Sequence, residues 1–240
     1  MMMQRRHFIL AGLAACAAPT GLASLAQAQG FSQSRAADGV REALTQAARL
    51  ATTRLGRHDG FWGDPVVRIP LPREIAAVQS RLRPLGLSGY IDDIELSLNR
   101  AAETAMPAAR DIVVNSVSRM TVQDAVGIVQ GGDTSATDYL RRASGPRLGE
   151  LLEPRMQGTL RDAGAYAALD RVEPYVDQGN SFLNRFGLGR VNTQDLADQV
   201  TDHAVDKALD GVFHYIGVEE RAIRRDPLGQ ASALLRQVFG

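Results

Sequence analysis

Over most of the chain apolar residues recur three and four positions apart, the spacing that lines up one face of an α-helix. From Asp38 onward, Val40, Leu44, Ala47, Ala51 and Leu55 predict an amphipathic helix that stops near Gly56. The pattern then fails. Between Arg57 and Pro72, three prolines and two glycines forbid a long helix, while Phe61, Trp62, Val66, Val67, Ile69 and Leu71 call for burial. A packed loop is expected there. Helical spacing resumes from Arg73 to about Leu85, with Pro72 at its entry.

Gly86-Leu87-Ser88-Gly89 reads as a turn in which Ser88 caps a helix from Tyr90 to Ala105, with Ile91, Ile94, Leu98, Ala101 and Ala102 facing inward. Pro107 marks a break or a kink and starts another helix through Ser118. Thr121-Val122-Gln123-Asp124 opens a short helix that ends at Gly131-Gly132, with Asp124 in its first turn. Asp133 or Thr134 caps a segment from Ser135 to Arg142, and Gly145-Pro146 punctuates it. Residues 147–163 and 165–186 predict two more helices, followed by a Gly187-Leu188-Gly189 turn. Asn192 or Thr193 then caps a long helix to about Ile216, and Val218 to Phe239 forms the last, interrupted at Asp226-Pro227. There is no strand alternation, heptad run or fixed-period repeat. The fold class is all-α: a compact single-domain bundle over residues 37–240.

The N-terminus has a different character. Arg5-Arg6-His7 precede an apolar run from Phe8 to Ala15, and small residues continue to Ala26-Gln27-Ala28. Residues 1–28 thus have the layout of a bacterial export signal, too short for a membrane span and interrupted by Pro19 and Gly21. Cleavage after Ala28 leaves Gln29 as the first mature residue. Leu13-Ala14-Ala15-Cys16 also fits the lipobox of a lipoprotein, in which Cys16 is acylated and becomes residue one. Arg5-Arg6-His7-Phe8-Ile9 resembles a twin-arginine signal but serves equally as the positive head of a general one. Residues 29–36, polar and small, read as a flexible leader. The expected location is the periplasm, either free or anchored through Cys16, the sole cysteine.

Cleavage after Ala28 removes that cysteine, which excludes a disulfide framework and a thiolate metal site. About 210 mature residues suffice for one substantial core. Without Arg5 and Arg6, 25 basic residues face 27 acidic ones, and no basic tail or dense patch signals nucleic acid.

Candidate chemistry is sparse. No Gly-x-Ser-x-Gly elbow is present, and only His58, His203 and His214 of the mature chain offer imidazole. His203, Asp206, Asp210 and His214 fall within roughly an 80° arc of one helix, a donor set suited to zinc or a related divalent ion. The same stripe is also what a solvated face looks like, since Thr201, Ala204, Val205, Ala208, Leu209, Val212 and Ile216 occupy the other side. The stripe spreads over about 16 Å, so at most two or three of the four share an ion. No other cofactor is implied. Glu95, Asn99 and Glu103 form an i, i+4, i+8 row beside Arg100. Asn99 and Arg100 are candidates to meet Asp210 or Glu220, as a polar pocket with acid and base or as hydrogen bonds between helices. Gly131-Gly132-Asp133-Thr134-Ser135 reads as a capped turn, or as amides presented to an anion. Phe61 and Trp62 are either a core plug or an exposed lip for a lipid or partner.

Several strings carry a family resemblance. They are Gly60-Phe61 with Pro65 and Ile69-Pro70-Leu71-Pro72; Glu95 through Glu103 with Pro107; Met120-Thr121-Val122-Gln123-Asp124-Ala125; and Gly131-Gly132-Asp133 with Ala136-Thr137 and Tyr139-Leu140. Lys207 through Phe213, Glu219-Glu220, Ile223-Arg224, Asp226-Pro227 and Val238-Phe239-Gly240 complete the series. In this order, from about Gly39 to Gly240, they resemble the exported bacterial family called domain of unknown function 4197. The resemblance implies one all-helical periplasmic domain and brings no activity or catalytic residue with it. The functional expectation is a non-enzymatic binding or structural domain for an envelope partner or a small apolar ligand, with ligand contacts at Phe61, Trp62, Glu95, Asn99, Arg100 and Asp210. The alternatives are an envelope hydrolase or metal-dependent enzyme using Asp, Glu and His, and an oligomeric scaffold with a large apolar outer face.

Overall fold

In a computed structural model, residues 21–85, 88–162 and 193–225 are described, and every regular element among them is a helix. These are α1 (Gly21–Leu55), α2 (Arg73–Leu82) with a 3-10 turn at Arg83–Leu85, α3 (Gly89–Ser118), α4 (Val122–Gln130), α5 (Ser135–Asp162) and α6 (Thr193–Arg225). Helix α1 packs on α3 and α6, and α5 packs on the same two, so the four long helices close into a ring around one core. The short α4 bridges α1 and α5.

The inward stripes are those the spacing predicts. Val40, Leu44, Ala47, Ala51 and Leu55 of α1 are buried, as are Ile91, Ile94, Leu98, Ala101 and Ala102 of α3. Each large side chain removed from water contributes about 1.5–3 kcal/mol. No helix of the described residues is long and apolar enough to cross a membrane.

The boundaries differ from expectation in instructive places. Helix α1 extends back to Gly21 through residues 29–36, where no proline opposes it, and Ala37 is already fully buried. Pro107 does not divide α3. It removes one hydrogen bond to the carbonyl of Glu103, but Met106, Ala109 and Val113 on either side are completely buried and hold the helix together.

Helix α5 likewise runs through Pro146 and Pro154. Its buried positions Leu140, Ser144, Leu148, Leu152, Met156 and Leu160 recur every four residues. A four-residue step advances 40° beyond a full turn of an ideal helix, so this row sweeps around the cylinder. A helix that touches α3 and α6 in turn requires such a sweep, and it disguises the segment as two shorter helices. Helix α6 continues past Ile216 to Arg225 without a break. Ser88 takes the N-cap position of α3 but makes no capping bond; its hydroxyl donates to Asp92 instead. Cys16 and the rest of residues 1–20, the predicted helix over 165–186, the Gly187-Leu188-Gly189 turn and everything after Arg225 lie outside the described residues.

Between α1 and α2, residues 56–72 form the expected irregular loop. Gly60 is required at its start, because a Cβ there would lie 2.2 Å from the carbonyl oxygen of Leu55. The loop inserts Phe61 against Gly211 of α6, and Phe61, Val67, Ile69 and Leu71 are buried. Val66, expected inside, is 63 % exposed. A Cβ on Gly211 would lie 2.8 Å from the Phe61 ring and 3.3 Å from Val67 Cβ. We therefore expect Gly211→Ala to lower stability by about 1 kcal/mol, overpacking outweighing the better helix propensity of alanine. The urea midpoint checks this, and a rise would mean that the loop moves aside freely.

Candidate functional site

The polar row of α3 is a spine on which the 56–72 loop lies. Glu103 is 4 % exposed, and one of its carboxylate oxygens accepts the backbone N–H groups of Phe61 and Trp62, both at 3.1 Å. Its other oxygen accepts Arg100 Nη1 at 2.7 Å, while Arg100 Nη2 donates to Asp59 at 2.6 Å. One turn earlier, Asn99 is completely buried. It accepts the Ile69 N–H at 2.9 Å and donates to the Ile69 carbonyl at 2.9 Å and to the Glu95 carbonyl at 2.8 Å. Asn99 thus gives an isolated loop residue the donor and acceptor that a neighbouring strand would supply. One turn earlier again, Glu95 accepts Arg68 Nε at 3.1 Å, and the Arg68 guanidinium lies 3.6 Å over the centre of the Trp62 ring.

Helix α6 grips the loop from the other side. The Tyr215 hydroxyl donates to Asp64, which also accepts from Arg54, and His203 Nε2 lies 3.0 Å from the Pro70 carbonyl oxygen. Tyr215 holds the Asp64 carboxyl below its ordinary value; burial opposes this, and the Val66 amide and Arg54 assist. Burial first, then the Asp64 charge, pushes the Tyr215 phenol up. Asp59, the residue with left-handed backbone at φ 64°, is likewise held low, chiefly by its hydrogen bond from Arg100. Aspartate tolerates that backbone region better than most residues, and the Arg100 bond fixes it there.

A second clamp of the same kind joins α6 to the start of α5. Glu220, 4 % exposed, accepts the N–H groups of Ala136 and Thr137 at 3.0 and 2.8 Å and the Thr137 hydroxyl at 2.7 Å. Arg224 bonds Glu220 at 2.9 Å and reaches the Ile128 carbonyl and the Ser135 hydroxyl. The amides that Gly131-Gly132-Asp133-Thr134-Ser135 leads into are thus satisfied by the chain's own carboxylate. At α4 the capping box is complete between Thr121 and Asp124, and the Thr121 amide is the main cause of a lowered Asp124 carboxyl.

The geometry therefore separates the ligand candidates. Phe61, Trp62, Glu95, Asn99 and Arg100 come together, with Phe61 as a core plug and Trp62 half-buried under Arg68. Asp210 stands apart: it pairs with Arg141 at 3.1 Å and Lys207 at 3.6 Å, so neither Asn99 nor Arg100 meets Asp210 or Glu220. On the proposed metal stripe, His203 is used on Pro70 and Asp206 is exposed, while His214 packs edge-on against Tyr215. Among the described residues no three or more His, Cys, Asp or Glu side chains are grouped so as to hold a metal ion.

Residues 30–240 match the sequence profile described as protein of unknown function, DUF4197. The chain belongs to the DUF4197 family. No curated protein and no solved structure matches it. Both carboxylate clamps lie inside the matched span, so they belong to the DUF4197 domain itself. The sequence pointed to the Glu95–Asn99–Glu103 row but missed Asp59, Asp64 and Tyr215. The available signal was a tyrosine on the apolar side of α6, whose buried hydroxyl needs a partner.

Glu103→Ala leaves two loop amides and Arg100 Nη1 without their acceptor, and we expect a loss of about 3 kcal/mol in urea unfolding. Glu220→Ala is expected to cost a similar amount, and Glu95→Ala, at a more exposed pair, about 1 kcal/mol or less. Asp59 and Asp64 titrate lower in the folded state than in the unfolded chain. Their contribution is complete above the ordinary value of 3.8 and is lost as pH falls through the lowered ones. Stability measured from pH 6 to pH 2 should therefore fall less steeply in Asp64→Asn than in the parent.

Proposed function

We propose that this DUF4197 domain is a non-enzymatic envelope protein, an exported helical bundle that acts by binding. One observation carries the reading: the buried polar groups best suited to chemistry are already spent on the backbone. Glu103 is occupied by Phe61, Trp62 and Arg100, Asn99 by Ile69 and Glu95, and Glu220 by Ala136, Thr137 and Arg224. A general acid or base must reach a substrate proton directly or through one water, and these groups are committed elsewhere. The fold is held rigid by the residues that an enzyme would use.

The N-terminal pattern supports export, with a mature chain beginning at Gln29 or at an acylated Cys16. The Phe61 loop does not favour an apolar cargo, because Phe61 itself fills the space beside Gly211. The apolar slot lined by Val40, Leu44, Ile128 and Ile223 holds only about 20 Å³.

Denaturing and native mass spectrometry of protein purified from its own envelope test both halves of the reading. The denatured mass is expected to begin at Gln29 or acylated Cys16, and the native mass to carry a non-covalent companion. A chain that retains Met1 overturns export. A native mass equal to the denatured one overturns binding.

A further inference from the structure

A groove of about 410 Å³ runs between α4 and α5 and is lined in part by Asp124 of the α4 cap. Its lining is mixed, with polar side chains of both charges beside Ile128 and Tyr139. Asp138 and Arg142 stand one turn apart on α5, and Gln123, Asp124 and Gly127 face them from α4. Its volume falls within the range of small-molecule sites.

Among the described residues Arg142 makes no hydrogen bond or ion pair, not even with Asp138 four positions before it. Asp138 accepts only the Thr134 hydroxyl, through Oδ2, which leaves Oδ1 free. Asp124 and Tyr139 also line the groove. The Asp124 charge raises the Tyr139 phenol after burial has done so, which places both groups side by side. The groove thus presents a free guanidinium, a half-used carboxylate and a second carboxylate that caps α4.

Gly127 bears on the same point. It stands in the interior of α4, where glycine costs about 1 kcal/mol relative to alanine. No atom lies within 4 Å of the Cβ it lacks, so packing does not demand it. Helix α5 carries open glycines of its own at Gly145, Gly149 and Gly158, so openness alone signifies little. What distinguishes Gly127 is its place on the groove wall, where any side chain would take up ligand space.

We propose that the α4–α5 groove binds a small zwitterion, an amino acid or a short peptide, with its carboxylate on Arg142 and its ammonium on Asp138. Charge-assisted bonds at both ends select the pair, since guanidinium and carboxylate groups form the strongest such contacts. Asp124 adds a second negative charge to the groove and disfavours a ligand that is only anionic. The inference rests on the binding reading above and gives it a ligand class.

The test uses the full mature chain and Ala-Ala dipeptide as the probe, followed by calorimetry or by amide shifts in NMR spectra. The free dipeptide is expected to bind saturably. N-acetyl-Ala-Ala, which has no ammonium, and Ala-Ala amide, which has no carboxylate, are each expected to bind about tenfold to a hundredfold more weakly. Arg142→Gln and Asp138→Asn should weaken the free dipeptide by a similar factor. Gly127→Leu should abolish binding while the melting temperature holds or rises, because leucine is the better helix former and meets no clash.

Binding untouched by Gly127→Leu overturns the location. Equal binding of the N-acetyl form overturns the zwitterion. No binding of the dipeptide or of free alanine at millimolar concentration overturns the proposal. A companion in the native mass spectrum beside a failed titration would leave the binding reading standing and remove only this ligand. Failure of both would remove both.

Discussion

A carboxylate buried between a loop and a helix is the constraint on which this fold turns. Glu103 has to be taken out of water, and the cost is met by two loop amides on one oxygen and Arg100 on the other. In return the 56–72 loop, rich in proline and glycine, gains a fixed shape without forming any regular element. Phe61 is then held in place to fill the space left by the missing side chain of Gly211. Loop, α3 and α6 become one packed unit. Asn99, a single turn away, extends the same logic with a neutral group that supplies both a donor and an acceptor to Ile69.

Glu220 repeats the device at the other junction. A helix start leaves N–H groups without intrahelical partners, and a negative charge is favoured there. Here the charge comes from α6, 84 and 83 positions away from the amides of Ala136 and Thr137 that it binds. Each clamp also has an arginine on the same helix, three residues before Glu103 and four after Glu220. The arginine bonds the carboxylate and carries a further bond outward, Arg100 to Asp59 and Arg224 to the Ile128 carbonyl. Such bonds fix how neighbouring elements sit, whereas the apolar stripes alone would tolerate sliding.

Much of this architecture was legible in the sequence. The stripes of α1 and α3 and the capped start of α4 follow from spacing and cap chemistry, and the packed loop follows from its prolines. What spacing could not convey was the continuity of α3 and α5 through their prolines, because burial on both sides of a proline is a tertiary effect. The four-residue row of α5 belongs to a helix with two neighbours and resembles noise when one fixed face is sought. At the candidate site the row Glu95, Asn99, Glu103 stood out, yet its partners did not. Backbone amides of a loop leave no mark in a sequence, so Asp210 was the natural but mistaken choice of acceptor. Long-range partners of charged residues depend on which helices touch, and that is decided by the packing of the whole ring.

The placement of α6 has a further consequence for the order in which the molecule can be completed. Both α1 and α5 rest on α6, and the start of α5 receives its anion from Glu220. A chain that ends before α6 therefore holds α1, α3, α4 and α5 while Val40 and Leu44 still lack part of their covering. The ring shuts only when the last described helix arrives. N-terminal pieces of this protein that end by residue 162 thus lack the helix on which α1 and α5 both rest, and keep unfinished surfaces.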